Sequence, residues 1–173
     1  IQIRDGGNVE NVSYSNIIIE TRRFCPDWWG TAEPIVITSF NRDENTKSGH
    51  IRNIRFFNID CNGENGVLIH GNKDNIIEEI TFENVSVTLS KQSKWETGLY
   101  DLRPCLDYGV EKYKNSGFFI RYAKNLVIAK SCVKWGKVCD DYGFAIDARN
   151  AENVELIRFN GTAADGSDGI KIG

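Results

Sequence analysis

The chain has 173 residues, 40% of them hydrophobic, which is enough for one buried core and gives no sign of a second domain. A formal charge of -3 and a pI near 5.5 provide no broad basic footprint, so nucleic acid and anionic membrane are not expected partners, and a polyanionic substrate would need a local basic patch. No apolar run approaches the roughly 18 residues of a membrane span, and no signal peptide opens the chain.

In chain order, the first expected element is the short apolar strand Ile1-Gln2-Ile3-Arg4. It is followed by Asn11-Val12-Ser13-Tyr14-Ser15-Asn16-Ile17, in which apolar and polar residues alternate with the strand period of two. The same phrase returns as Asn53-Ile54-Arg55-Phe56-Phe57-Asn58-Ile59 and Glu79-Ile80-Thr81-Phe82-Glu83-Asn84-Val85, and in weaker form from Asn125 and Asn153. Between the copies stands a second short strand phrase, usually opened by glycine: Pro34 to Ile37, Gly66 to His70, Gly117 to Arg121, Gly143 to Asp147 and Gly169 to Ile172. Helical readings fail because β-branched residues dominate and glycine or asparagine closes each run.

The first phrase begins at residues 11, 53, 79, 125 and 153, so a unit of 26 to 28 residues has been lengthened twice, to 42 and 46. The excess falls in two polar, aromatic stretches, Thr21 to Gly49 and Ser90 to Ser116. A unit this short cannot bury its own apolar face, whereas stacked copies share one core. The expected architecture is all-β: a parallel β-helix of about six coils over residues 1–173, with coils about 4.8 Å apart. On the second phrase the residues expected to face inward include Ile35, Ile37, Val67, Ile69, Phe118, Ile120, Phe144 and Ile146. Those expected to face outward are Gln2, Arg4, Val36, Thr38, Leu68, His70, Phe119, Arg121, Ala145, Asp147 and Lys171.

Asn16, Asn58 and Asn84 are expected at turns, where their amides bond local backbone and ladder from coil to coil. Asn11, Asn84 and Asn160 also match the glycosylation acceptor pattern, which the repeat produces by itself. The five cysteines show no Cys-x-x-Cys pair and read as buried free thiols, with Cys132 and Cys139 the nearest to a bridge. With His50 and His70 the only histidines, both read as loop residues, no metal and no cofactor is expected. The absence of Met implies a processed start or a piece of a longer chain.

Gly6 to Ile17, followed by Pro26-Asp27-Trp28-Trp29-Gly30-Thr31-Ala32-Glu33-Pro34-Ile35, resembles the polygalacturonase-type glycoside hydrolases, family twenty-eight. The similarity continues through Glu64 to Gly71 and Ser93-Lys94-Trp95 to Tyr100-Asp101-Leu102-Arg103-Pro104, and beyond that only in the repeat pattern. The resemblance implies a right-handed parallel β-helix, an inverting hydrolase of pectic or other uronate-containing polysaccharides, and a secreted or periplasmic location. The family's chemistry is carried by an Asn-x-Asp, an Asp-Asp, a Gly-His-Gly and an Arg-Ile-Lys, in that order. The first three have no counterpart here, since Asp140-Asp141 follows the repeat where the family's pair precedes it. No catalytic residue is therefore assigned, and the resemblance places the catalytic Asp residues before Ile1, with this chain as a C-terminal segment.

Gln2-Ile3-Arg4 stands where the family has Arg-Ile-Lys, so Gln2 and Arg4 become candidates to meet substrate, Arg4 by a bidentate bond to a uronate carboxylate. Trp28, Trp29, Trp95, Tyr100 and Arg103 join them, because loops beside a rigid stack concentrate binding residues, aromatic rings offer faces to sugars, and Arg103 or Lys94 can meet carboxylates. The competing reading, that these loops fold back and cover the side of the stack, is the stronger one for the Trp-Trp-Gly loop. Two other readings stand beside the hydrolase: a non-catalytic polysaccharide-binding or adhesin-type β-helix, and a uronate lyase or epimerase. The oligomeric state is not legible.

Overall fold

The structure is a computed structural model describing residues 1–26 and 30–173; these contain no helix. In chain order the strands are β1 (Gln2–Ile3), β2 (Val9–Glu20), β3 (Val36–Ser39), β4 (Ile51–Gly63), β5 (Val67–His70), β6 (Ile77–Leu89), β7 (Leu99–Asp101), β8 (Val110–Lys112), β9 (Phe118–Ala129), β10 (Cys132–Trp135), β11 (Ile146–Ile157) and β12 (Ile170–Ile172). All but β7 and β8 pair in parallel within one curled sheet, the parallel β-helix that the repeats imply.

The long strands turn corners inside themselves. Asn11, Asn53, Glu79, Asn125 and Asn153 occupy equivalent positions, each with φ between 52° and 57°, in the left-handed region that breaks an extended run. A second corner follows at Asn16, Asn58, Asn84, Lys130 and Arg158. The side-chain amides ladder across coils as expected, Asn58 to Asn16 at 3.2 Å and Asn84 to Asn58 at 2.9 Å. Three faces result. One stacks β1, β3, β5, the start of β9, the start of β11 and β12, which makes six rungs.

Inward side chains form ladders because each strand pairs with its equivalent one coil away. Val12, Ile54, Ile80, Leu126 and Val154 form one column, and Tyr14, Phe56 and Phe82 stack face to face in the next, with centroids 5.2 and 4.9 Å apart. Offset ring stacking adds to the apolar burial that drives coil association.

Two rungs depart from the expected register. Phe118 pairs with Ile146, so Ile146 and Ala148 point inward and Asp147 and Arg149 outward. Ala145 is buried in the core instead of facing out, and Phe144 stays half-buried outside it beneath Lys171. The cause lies at Gly143, whose amide bonds Asn115 O at 2.9 Å and carries the chain two residues further before the strand begins. At the first rung Gln2 pairs with Thr38, which leaves Arg4 past the end of β1.

The six-rung face carries a second layer on its outside. Val36, Leu68 and Phe119 are stacked outward-facing neighbours, and Phe40, Tyr100, Leu102, Cys105 and Tyr108 pack over them. Phe40 comes from the first insertion and the rest of the cover from the second, residues 90–116, in which β7 and β8 form an antiparallel hairpin. His70 is thus no loop residue: it ends β5, buried among Phe40, Tyr108 and Phe119, and burial pushes its imidazolium down to about 4, leaving a neutral ring. All five cysteines are unpaired, including Cys132 and Cys139, because β10 carries the chain away from Cys132 in extended form. Burial pushes the Cys61 thiol up to about 12, consistent with an inert core residue.

Candidate functional site

The segments leaving β2 and entering β3 meet the end of β7 and the residues after it beside the first rung of the six-rung face. They enclose a cleft of about 460 Å³ lined by Gln2, Arg22, Arg23, Phe24, Cys25, Gly30, Ala32, Glu33, Val36, Asp101 and Arg103. Gln2 and Arg103 are far apart in sequence and both were candidates on chemistry alone; the fold brings them together. Gln2 is exposed, and the Arg103 side chain is 47% exposed.

Arg103 is held by Asp101, which accepts from its Nε at 2.9 Å, from its second terminal nitrogen at 2.8 Å and from its amide at 3.1 Å. Asp101 is buried, which alone would raise its pKa; the bonds from Arg103 and the Gly30 amide more than offset this and hold it below the usual carboxylate range. Glu33 goes the other way. Burial pushes it up, the bonds it receives from Thr31 oppose that, and nearby Asp101 adds to the rise.

Phe24 offers an exposed ring, with the Arg22 guanidinium over it at 4.3 Å. Arg23 clips the loops together, donating to Glu96 O at 2.8 Å and to Cys25 O and Pro26 O at 3.4 Å. Beneath the cleft the buried Glu64 carboxylate accepts from the amides of Arg23, Gln92 and Ser93 at 2.6, 2.9 and 2.6 Å, and from Lys91 Nζ at 3.0 Å. It fastens both insertions to one coil.

The remaining candidates separate. Arg4 does not line the cleft: it is buried under the second layer, and its guanidinium donates to Thr38 Oγ1 at 3.1 Å and to Leu102 O at 3.0 Å. Its outward parity was right, but the insertion covers it, and its Nε lacks a partner there. Tyr100 is 1% exposed and stacks on Phe119 with centroids 4.0 Å apart, so it packs the cover instead of lining the cleft. Trp95 is half-buried with Lys94 over its ring, and its Nε1 donates to Phe24 O at 3.0 Å, so it supports the cleft's aromatic residue from outside. Trp28 and Trp29 lie outside the described residues.

Sequence reasoning passed over Arg22, Arg23, Glu33 and Glu64. The Arg22-Arg23 pair directly after a strand was the one available signal; the loop path that turns both toward Arg103 leaves no periodic trace. No protein-family model, no curated protein and no solved structure matches this chain.

Proposed function

We propose that the chain is a segment of a glycoside hydrolase acting on pectic or related uronate-containing polysaccharides, and that the cleft between Gln2, Arg22 and Arg103 is a subsite for an acidic sugar. The observation that carries this reading is the convergence of three guanidinium groups, an exposed Phe24 ring and the Gln2 amide in one cleft of an otherwise acidic protein. Guanidinium pairs with a uronate carboxylate, the aromatic face with the sugar ring, and the amide with a hydroxyl.

Inverting hydrolysis needs a carboxylic acid and a carboxylate roughly 6.5 to 9.5 Å apart, with room for water between them. Asp101 is committed to Arg103 and Glu33 to Thr31. The reading therefore assigns the catalytic Asp residues to sequence before Ile1 and gives this segment a binding role, in a protein acting outside the cytoplasm. The same commitments favour the second reading, a polysaccharide-binding β-helix without catalysis.

Calorimetric titration of the full chain tests the subsite. Oligogalacturonate should bind and neutral cello-oligosaccharide should not, and Arg103→Gln should weaken binding by about tenfold or more, the worth of one charge-assisted hydrogen bond. Equal affinity for the neutral sugar would contradict an anion subsite. Reducing-end release by this chain that is abolished in Asp140→Asn or Asp141→Asn would put the chemistry elsewhere.

A further inference from the structure

Glu33 joins a closed hydrogen-bond chain that runs from the cleft into the stack. Thr31, Asn65 and Asn115 are buried links. Asn115 is oriented by backbone at both ends of its amide, its Oδ1 accepting from the Gly66 amide at 3.3 Å and its Nδ2 donating to Glu64 O at 2.7 Å. The same Nδ2 donates to Asn65 Oδ1 at 2.5 Å, which turns Asn65 Nδ2 toward Thr31 Oγ1 at 2.6 Å. Neither amide can flip without setting a donor against a donor.

Thr31 Oγ1 has one proton and two acceptor sites. Asn65 takes one acceptor site. Leu99 O, which can only accept, lies 2.5 Å away and takes the proton. Glu33 Oε1 lies 2.6 Å from the same hydroxyl, while Oε2 accepts from the Thr31 amide at 2.7 Å. With Glu33 ionised, the one proton cannot serve both acceptors, and two oxygen lone pairs would face each other across 2.5 or 2.6 Å in a partly buried site. A proton on Oε1 makes that contact an O–H···O bond and satisfies every valence of Thr31.

We propose that Glu33 carries its proton at neutral pH and forms the neutral floor of an anion subsite whose ligand is a uronate carboxylate, an inference that rests on the polysaccharide reading above. Among the described residues, the charged and titratable groups around Glu33 are Asp101 and Tyr100 on β7, Arg103 after it, and Arg22, Arg23 and Cys25 from the segment after β2. With Glu33 neutral, three arginines face the ligand carboxylate and Asp101. Ionisation adds a further negative charge beside the ligand and breaks the arrangement at Thr31. Ligand affinity is then coupled to the Glu33 proton, falling as pH rises through its titration, and bound uronate holds that proton more tightly.

The test has two arms on the full chain. Carbon-13 carboxyl NMR with labelled glutamate, from about pH 4 to 9, should show one signal, absent in Glu33→Gln, that is still in its acid form at neutral pH, above the ordinary glutamate value of about 4.3. Calorimetry with trigalacturonate should show affinity falling about tenfold across the range where that signal titrates, the effect of one added charge at short range in a partly desolvated cleft. Glu33→Gln, whose amide donates to Thr31 as the acid does, should bind without that fall. Titration of the signal near its ordinary value would overturn the proton assignment, and an unchanged pH dependence in Glu33→Gln would overturn the coupling. A carboxyl that stays protonated in a protein binding trigalacturonate at no pH would overturn the uronate subsite, and the polysaccharide reading with it.

Discussion

Glu64 has no solvent exposure, yet the structure holds it as an anion. Burial would raise its pKa, but three backbone amides and the Lys91 ammonium pull it down to about 2. A carboxylate whose folded pKa lies below its unfolded value contributes stability above the unfolded value, near 4.5, and loses it as pH falls toward about 2. Glu64→Gln should therefore cost about 2 to 3 kcal/mol at pH 7, with the gap to wild type closing below pH 4.5 in a series of urea titrations. A gap that does not change with pH would mean that the site is held by shape alone. Arg4, Leu68 and Phe119 show how far single residues were legible. Period-two alternation correctly turned them outward, but outward is not exposed once an insertion lies on top. The signal for that cover was present, because Val36, Leu68 and Phe119 place apolar side chains where solvated ones belong.

At the scale of the element, the strands depend on their corners. An L-residue in the left-handed region costs about 1 to 2 kcal/mol, and Asn is among the few residues that visit it routinely. Asn58→Ala, which also removes both ladder bonds, should lose about 1 to 2 kcal/mol in denaturant unfolding. Glu79 is the one non-Asn residue in its corner column, between Asn53 and Asn125, so Glu79→Asn should gain up to about 1 kcal/mol. A loss there would mean that the Glu79 side chain holds the corner by contacts of its own. The repeat phrase exposed these corners in the sequence as recurrent asparagines. The shift at β11 was not legible, because Gly143 imitates the glycine that opens the other rungs while its amide serves a neighbouring coil.

For the whole molecule, the repeats supply a rigid stack, and the two insertions, with Gln2 from the first rung, supply the groups that line the cleft. The stack and its six rungs could be read from spacing. The cleft could not, since it depends on loops whose route is set by Glu64, Arg23 and the Thr31 chain rather than by any period. Its position beside the first rung sets the basic groups next to β1 and β3, where the proposed acidic sugar would meet them. The most direct measurement is a side-chain NMR map of the arginine Nε–H signals during titration of the full chain with trigalacturonate. Signals of Arg22 and Arg103 should shift together and saturate with one affinity, while Arg121, buried against Asp147 at 3.1 Å, stays still. Shifts confined to arginines outside the cleft, or none at saturating ligand, would contradict the assignment of this cleft to an acidic sugar.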